Sequence, residues 1–214
     1  MLKIAQEIIS LVKNAEILKG VGRSGWALAG VHCNKQESVG EHTFGTVLVS
    51  LLISKSLVDR GEIVNLDRVA FIATLHDFPE AITSDIPRAF LELGGEQLRE
   101  GKSEAEEKAM YLISKSSEYF GEFLVSLWNE LKESVSIEAR IVQGADILDM
   151  LVHALSLEKS GVSPAILDQF FKNSLASLRK LEVEIIENTF WELYREHNKN
   201  ADRFGIKLEQ INSD

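Results

Sequence analysis

The chain has a single cysteine, Cys33, among its 214 residues. No intramolecular disulfide can form, and such a composition suits a reducing compartment, the cytoplasm. Cys33 has no CxxC partner and no Cys/His ligand spacing around it, so it reads as a structural thiol. Prolines number only three, which leaves long segments free to be helical. Positive charge is in deficit: 23 Lys and Arg stand against 33 Asp and Glu, a net charge of −10. A domain so acidic lacks the electrostatic footprint for a polynucleotide backbone, although a small anion can still be held by local donors or a metal. No uninterrupted apolar run approaches the roughly 20 residues of a membrane span. The N-terminal "MLKIAQEIISLVKNAEILKG" is broken by Glu7 and Glu16, which argues against a signal peptide. With 45% apolar and 26% charged residues, the chain is a globular protein able to bury a substantial core.

What is present is helical periodicity. Ile4, Ile8, Leu11, Val12 and Ala15 form one stripe of a first helix that ends near Gly20. From Gly20 to Gln36 no period is sustained, and long loops of this kind are often functional. Ser38 followed by Glu41 is a capping box that opens a second helix, apolar to about Val58. "LDRVAFIATLHDF" (66–78) predicts a central third helix. A short helix follows Asp85 and stops at Gly94 and Gly95, and Glu96 to Gly101 is polar and exposed. Further helices are expected over 103–116, 117–132, 136–160, 164–180 and 183–198. The expectation is one all-α helical bundle domain over residues 1–214, its core at about 20–195 and a tail at about 200–214. The wide apolar faces of the last two helices predict packing against a second copy, a homodimer.

The segment "FIATLHDFPEAITSDIP" (71–87) turns from apolar to ionisable halfway, bringing His76, Asp77, Glu80 and Asp85 within ten positions. An ionisable group in an apolar helix must be paired, neutralised or bound to a metal. Adjacent residues such as His76 and Asp77 can converge on one ion if they stand at a helix end. By itself this segment is equally open to a salt-bridged helix terminus. His42 and Asp146 raise the weight of the metal reading, since each sits in another mostly apolar helix. Beside Asp146, the mid-helix Gly144 costs about 1 kcal/mol relative to Ala and signals a close approach to the backbone. Two imidazoles and two carboxylates form a mixed nitrogen/oxygen set suited to Mn, Co, Ni, Fe, Zn or Mg.

The order His42, His76-Asp77, Asp146 resembles the metal-dependent HD-domain phosphohydrolases. "GRSGW" (22–26), "ESVGEH" (37–42), "HDFPEAITSDIP" (76–87) and "GADILDM" (144–150) are similar to the branch that contains bacterial 5'-deoxynucleotidases and HD-domain-containing-2 proteins. The resemblance implies an HD-type helical bundle in which His42, His76, Asp77 and Asp146 bind one divalent metal. It implies that Glu80 orients or activates the attacking water, Asp85 touches the phosphate or leaving oxygen, Arg23 binds the phosphate and Trp26 shapes the sugar pocket. Ser24 and Gly25 stand here between Arg23 and Trp26, which are adjacent in the bacterial enzymes. The implied reaction removes the 5'-phosphate from (deoxy)nucleoside monophosphates. The alternatives are an HD hydrolase of another phosphoester and a non-catalytic helical protein that holds a metal or nucleotide.

Other residues carry weaker signals. His153 reads as a polar packing position, and Asp149 as a partner of a metal ligand or of the substrate. His32 and Lys35 read as loop residues, His197 as part of a solvated helix end, and Trp128 and Trp191 as core.

Overall fold

The structure, a computed structural model, describes residues 1–32 and 35–211. Cys33 lies outside the described residues, as does the tail beyond 211. Among the described residues the regular elements are helices, accompanied by an isolated bridge between Gly22 and Ser38. None of these helices is long and apolar enough to cross a membrane. In chain order they are α1 (Leu2–Leu18), α2 (Ser24–Leu28), α3 (Val39–Asp59), α4 (Leu66–Leu75), α5 (Glu80–Thr83), α6 (Arg88–Lys115), α7 (Gly121–Glu133), α8 (Ile137–Lys159), α9 (Pro164–Arg179) and α10 (Glu184–Arg203). Helices α3, α4 and α8 pack on one another at the centre. α9 and α10 line α8, α7 crosses α4 and α8, and α1 lies against α3 and α5.

The three central helices start where the sequence caps them. The Ser38 hydroxyl accepts the Glu41 N–H, and the Glu41 carboxylate accepts the Ser38 N–H in return. Asn65 accepts the Arg68 N–H and opens α4, while Ser136 accepts the Ala139 N–H and opens α8. Each cap is worth about 1 kcal/mol and, more usefully, sets which face of its helix points inward.

Several boundaries differ from the sequence expectation. The loop after Gly20 contains α2. Helix α4 stops at Leu75 instead of reaching Phe78, so His76 and Asp77 stand at a helix end. The glycine pair at 94–95 bends a helix instead of ending it: Gly95 takes φ 65°, ψ −153°, and α6 resumes and runs to Lys115. Strong helix formers after the bend, Glu96 to Glu100, explain the resumption.

Gly144 does mark a close approach, and the approaching group belongs to the core. A Cβ there would lie 2.4 Å from the Ile186 Cδ1, so α10 packs directly onto the α8 backbone. The apolar faces of α9 and α10 are likewise consumed inside the chain: Leu167, Phe171, Leu178, Ile186 and Phe190 are all buried. Trp128 is buried and Trp191 half-buried against the core, as expected. His197 is not solvated. It is fully buried, its Nδ1 lies 2.5 Å from the Glu158 carboxylate, its Nε2 faces Asp168, and its ring stacks on Phe171 at 4.2 Å. The Asn200 amide donates to the other Glu158 oxygen at 2.6 Å.

Candidate metal centre

The capping box at Ser38 turns His42, one helical turn later, into the α3–α8 interface, where it is fully buried. Its Nδ1 donates to Asp149 Oδ2 at 2.8 Å. That bond favours a ring proton on Nδ1, so that Nε2, 2.9 Å from Asp146 Oδ1 and 3.9 Å from Asp77 Oδ2, would be the nitrogen offered to a metal. His76, just past the end of α4, donates from Nδ1 to the Ala73 carbonyl at 2.8 Å. Its Nε2 is buried and makes no aligned hydrogen bond, although Asp77 Oδ2 lies 3.2 Å away. The two imidazole rings meet edge-on at 5.3 Å.

Donor atoms of His42, His76 and Asp77 all lie within 4.8 Å of one another, and Asp146 joins through His42. Two ligands of one ion at about 2.1 Å lie about 3.0 Å apart when adjacent and about 4.2 Å apart when opposite. The separations of 2.9, 3.2 and 3.9 Å fall in that range. Both histidines have their second nitrogen engaged by an acceptor, as metal-ligating histidines do. The residues therefore fit a metal.

The electrostatics agree. Burial opposes charge on His76, yet Asp77 beside it and Asp146 push its pKa up to about 9. Burial also opposes charge on Asp77, but His76, His42 and Arg23 hold its carboxyl well below the usual range. His42 is raised as well, burial and Arg23 working against its bonds to Asp146 and Asp149. Such a concentration of carboxylate draws any cation, and a metal takes the place of the imidazole protons.

Glu80 is the first residue of α5, buried, with its Oε2 lacking a partner. Burial, then the charges of Asp77 and Asp85, push its pKa up to about 9, against the pull of Lys102 and Arg23. Arg23 precedes α2 with its Nη1 buried and unpartnered and its Nε 3.8 Å from the Glu37 carboxylate. Burial works against the guanidinium, but Asp146, Asp77, Glu37 and Asp85 keep its pKa raised. Trp26 is buried; its Nε1 donates to Glu37 at 2.7 Å and its ring packs on Phe170 and His153. Asp85 Oδ2 accepts the N–H and the hydroxyl of Ser24, each at 2.6 Å.

Sequence reasoning missed Glu37, which gathers Arg23, Trp26 and His153 around one buried carboxylate. Only its position beside the Ser38 cap could have drawn notice. It missed Lys102, half-buried on α6 and ion-paired with Glu106, and Gly45, one turn beyond His42. Asp149, read as a partner of a metal ligand or of the substrate, bonds to His42, one of the residues expected to bind the metal. Glu37, His42 and Asp149 also form a compact group, but Glu37 Oε2 accepts from Trp26 and His42 Nδ1 is bonded to Asp149 Oδ2. His32 and Lys35 are exposed, the latter paired with Glu41.

An all-α bundle that gathers a helix-terminal His-Asp pair, a histidine from one helix and an aspartate from another defines the HD class of helical proteins, whose domains are metal-dependent. The chain belongs to the HD domain family, matching it over residues 15–185. Over 197 residues it is 28% identical to the 5'-deoxynucleotidase HDDC2 of Bos taurus, covering 92% of this chain and 88% of that one. A solved structure of a protein from Pyrococcus horikoshii OT3 superposes with a TM-score of 0.72 at 31% identity, covering 88% of this chain and 99% of the other. A structure described as an HD-domain phosphohydrolase from Listeria innocua shares the fold, with a TM-score of 0.72 at 18% identity over 92% of each chain.

Proposed function

We propose that this protein is a metal-dependent phosphohydrolase that removes the 5'-phosphate from deoxynucleoside monophosphates. His42, His76, Asp77 and Asp146 would hold one divalent ion. The observation that carries the reading is a set of three buried polar atoms around Asp77 that make no aligned hydrogen bond: His76 Nε2, Glu80 Oε2 and Arg23 Nη1. A ligand nitrogen, a proton acceptor and a phosphate donor are the groups that this chemistry requires, and a folded protein leaves such atoms unsatisfied only at cost. The similarity to proteins named 5'-deoxynucleotidases supports the substrate class.

A divalent ion held by these residues would lower the pKa of its water and offset charge on the phosphoryl oxygens. Glu80 Oε2 would take the proton of the attacking water once a bound cation beside Asp77 favours its ionised form, since a base must be deprotonated at the working pH. Arg23 Nη1 donates to a phosphoryl oxygen, its guanidinium steadied by Glu37. Asp149 fixes the His42 tautomer. Asp85 and Trp26 enter as parts of the wall, since Ser24 engages Asp85 and Glu37 engages Trp26. The metal is drawn from Mn, Co, Ni, Fe, Zn and Mg by the mixed donor set.

The reading includes a single domain, a cytoplasmic location and a homodimer. Support for the dimer now comes from the exposed Phe44, Leu48 and Leu52 of α3 and Phe71 of α4 rather than from α9 and α10. Light scattering at micromolar concentration tests it. The activity is tested by phosphate release from a panel of deoxynucleoside and ribonucleoside monophosphates with Mn²⁺, Co²⁺ or Mg²⁺, alongside metal analysis. No release with any metal refutes the reading.

A further inference from the structure

Asp85 and Ser24 are 61 positions apart, yet one oxygen, Asp85 Oδ2, receives both the backbone N–H and the hydroxyl of Ser24. Ser24 opens α2, which has no cap from its own chain segment: Arg23 occupies the N-cap position and makes no side-chain capping bond. Asp85 supplies that cap from a distance. The residue before it, Ser84, is held at φ 59°, ψ 170°, a conformation costly for any residue with a side chain. Its N–H closes on the Glu80 carbonyl at 3.0 Å. One short path of bonds therefore runs from Glu80 through Ser84 and Asp85 to Ser24, whose neighbour is Arg23.

We propose that the Ser24–Asp85 pair is a latch that positions the Arg23 guanidinium relative to Glu80, so that Asp85 acts through Ser24 and not by touching the substrate. This rests on the phosphohydrolase reading of the site. The latch ties the loop carrying the phosphate donor to the turn carrying the proton acceptor, two segments with no common helix. On its other side Arg23 is held by Glu37 and Gln36: its N–H donates to the Glu37 carbonyl, its carbonyl accepts from Gln36, and its Nε lies 3.8 Å from the Glu37 carboxylate. The strain at Ser84 is consistent with a contact that the fold maintains for positioning. Ser24, one of the two residues that separate Arg23 from Trp26, thereby acquires a role.

The decisive variant is Ser24→Pro. Proline is suited to the first position of a helix and has neither of the donated hydrogens, and Arg23 at φ −74°, ψ 104° already has the backbone that precedes a proline. With the latch gone, KM for nucleotide rises about tenfold or more while kcat changes less, because phosphate binding is lost in ground and transition states alike. Mn²⁺ affinity stays unchanged. Asp85→Ala reproduces the same loss, and the double variant adds nothing to it. Ser24→Ala shows a partial loss that Ser24→Thr reverses, which serves if Ser24→Pro fails to fold.

If Ser24→Pro leaves KM intact while Asp85→Ala abolishes turnover, Asp85 works on the substrate itself and the latch is overturned. Should the wild type hydrolyse no nucleotide, the activity reading falls, and inorganic phosphate binding to the Mn²⁺-loaded protein decides the latch alone. Affinity weakened about tenfold in Ser24→Pro sustains it, and unchanged affinity refutes it.

Discussion

Gly45 faces Asp149 across the α3–α8 interface more closely than any other residue could. A Cβ at this position would stand 1.9 Å from Asp149 Oδ1 and 2.5 Å from its Cγ. Reaching an ordinary contact of about 3.4 Å requires the carboxylate to retreat by about 1.5 Å. The bond from His42 Nδ1 to Asp149 Oδ2, now 2.8 Å, would then open beyond hydrogen-bond range. Helix propensity alone favours Gly45→Ala by about 1 kcal/mol, so a purely local argument predicts a more stable protein. The contact predicts the reverse at the metal. Losing the carboxylate behind a ligating histidine costs about 10–100-fold in metal affinity, or about 1.4–2.8 kcal/mol. Mn²⁺ or Co²⁺ titration calorimetry on Gly45→Ala, Asp149→Ala and the double variant separates the two accounts. The clashing atoms all lie beyond the Asp149 Cβ, so in the Asp149→Ala background Gly45→Ala should cost nothing further. Wild-type metal affinity in Gly45→Ala, or the same loss in both backgrounds, would refute the reasoning.

Three other outcomes are expected. Chelation should lower the melting temperature, and Mn²⁺ at about 100 times its Kd should restore about 2.7 kcal/mol, roughly 5–10 °C for a chain of this size, by calorimetry. Glu80→Gln should lower kcat by about 10²–10⁴-fold while Mn²⁺ affinity is retained; turnover near wild type would remove Glu80 from the chemistry. The Glu7 carboxylate accepts from the Ser117 hydroxyl and the Tyr119 N–H, which hold its pKa below the usual value of about 4.5 against the effect of burial. A group depressed in the folded state stabilises above its unfolded pKa and loses that contribution as pH falls through the folded one. The melting temperature of Glu7→Gln should therefore lie below wild type at pH 7, and the gap should close in acid. A gap independent of pH would show that Glu7 acts by packing alone.

Features written in local sequence were legible. Ser38 with Glu41 announced the start of α3 because a capping box is a four-residue event. His76 and Asp77 were readable as a convergent pair because both lie where an apolar helix turns polar. Pairings across the fold were not readable. Asp85 finds Ser24 and Glu37 finds Trp26 only after α2 is folded against the α5–α6 turn and the bridge at Gly22 and Ser38. Local cost at Gly144 disclosed that something comes close without saying that Ile186 does. At Gly94–Gly95 two poor helix formers suggested a stop, but a bend at one residue is compatible with good helix formers on both sides. His197 looked solvated because its sequence neighbours are charged, whereas helical spacing puts it on the side of Phe190, Tyr194 and Ala201, all buried. The same spacing sends the apolar faces of α9 and α10 inward, against α8 and each other, which is why they gave a misleading argument for a second copy.

The buried group formed by Glu158, Asp168, His197 and Asn200 joins α8, α9 and α10, with Glu158 about three turns along α8 from Asp146. Substituting any one member strands a polar or charged partner away from water, at a cost of several kcal/mol for a charge. In lineages descended from this protein, these four positions should consequently be inherited as a block: retained together, or replaced together by an apolar set of similar volume.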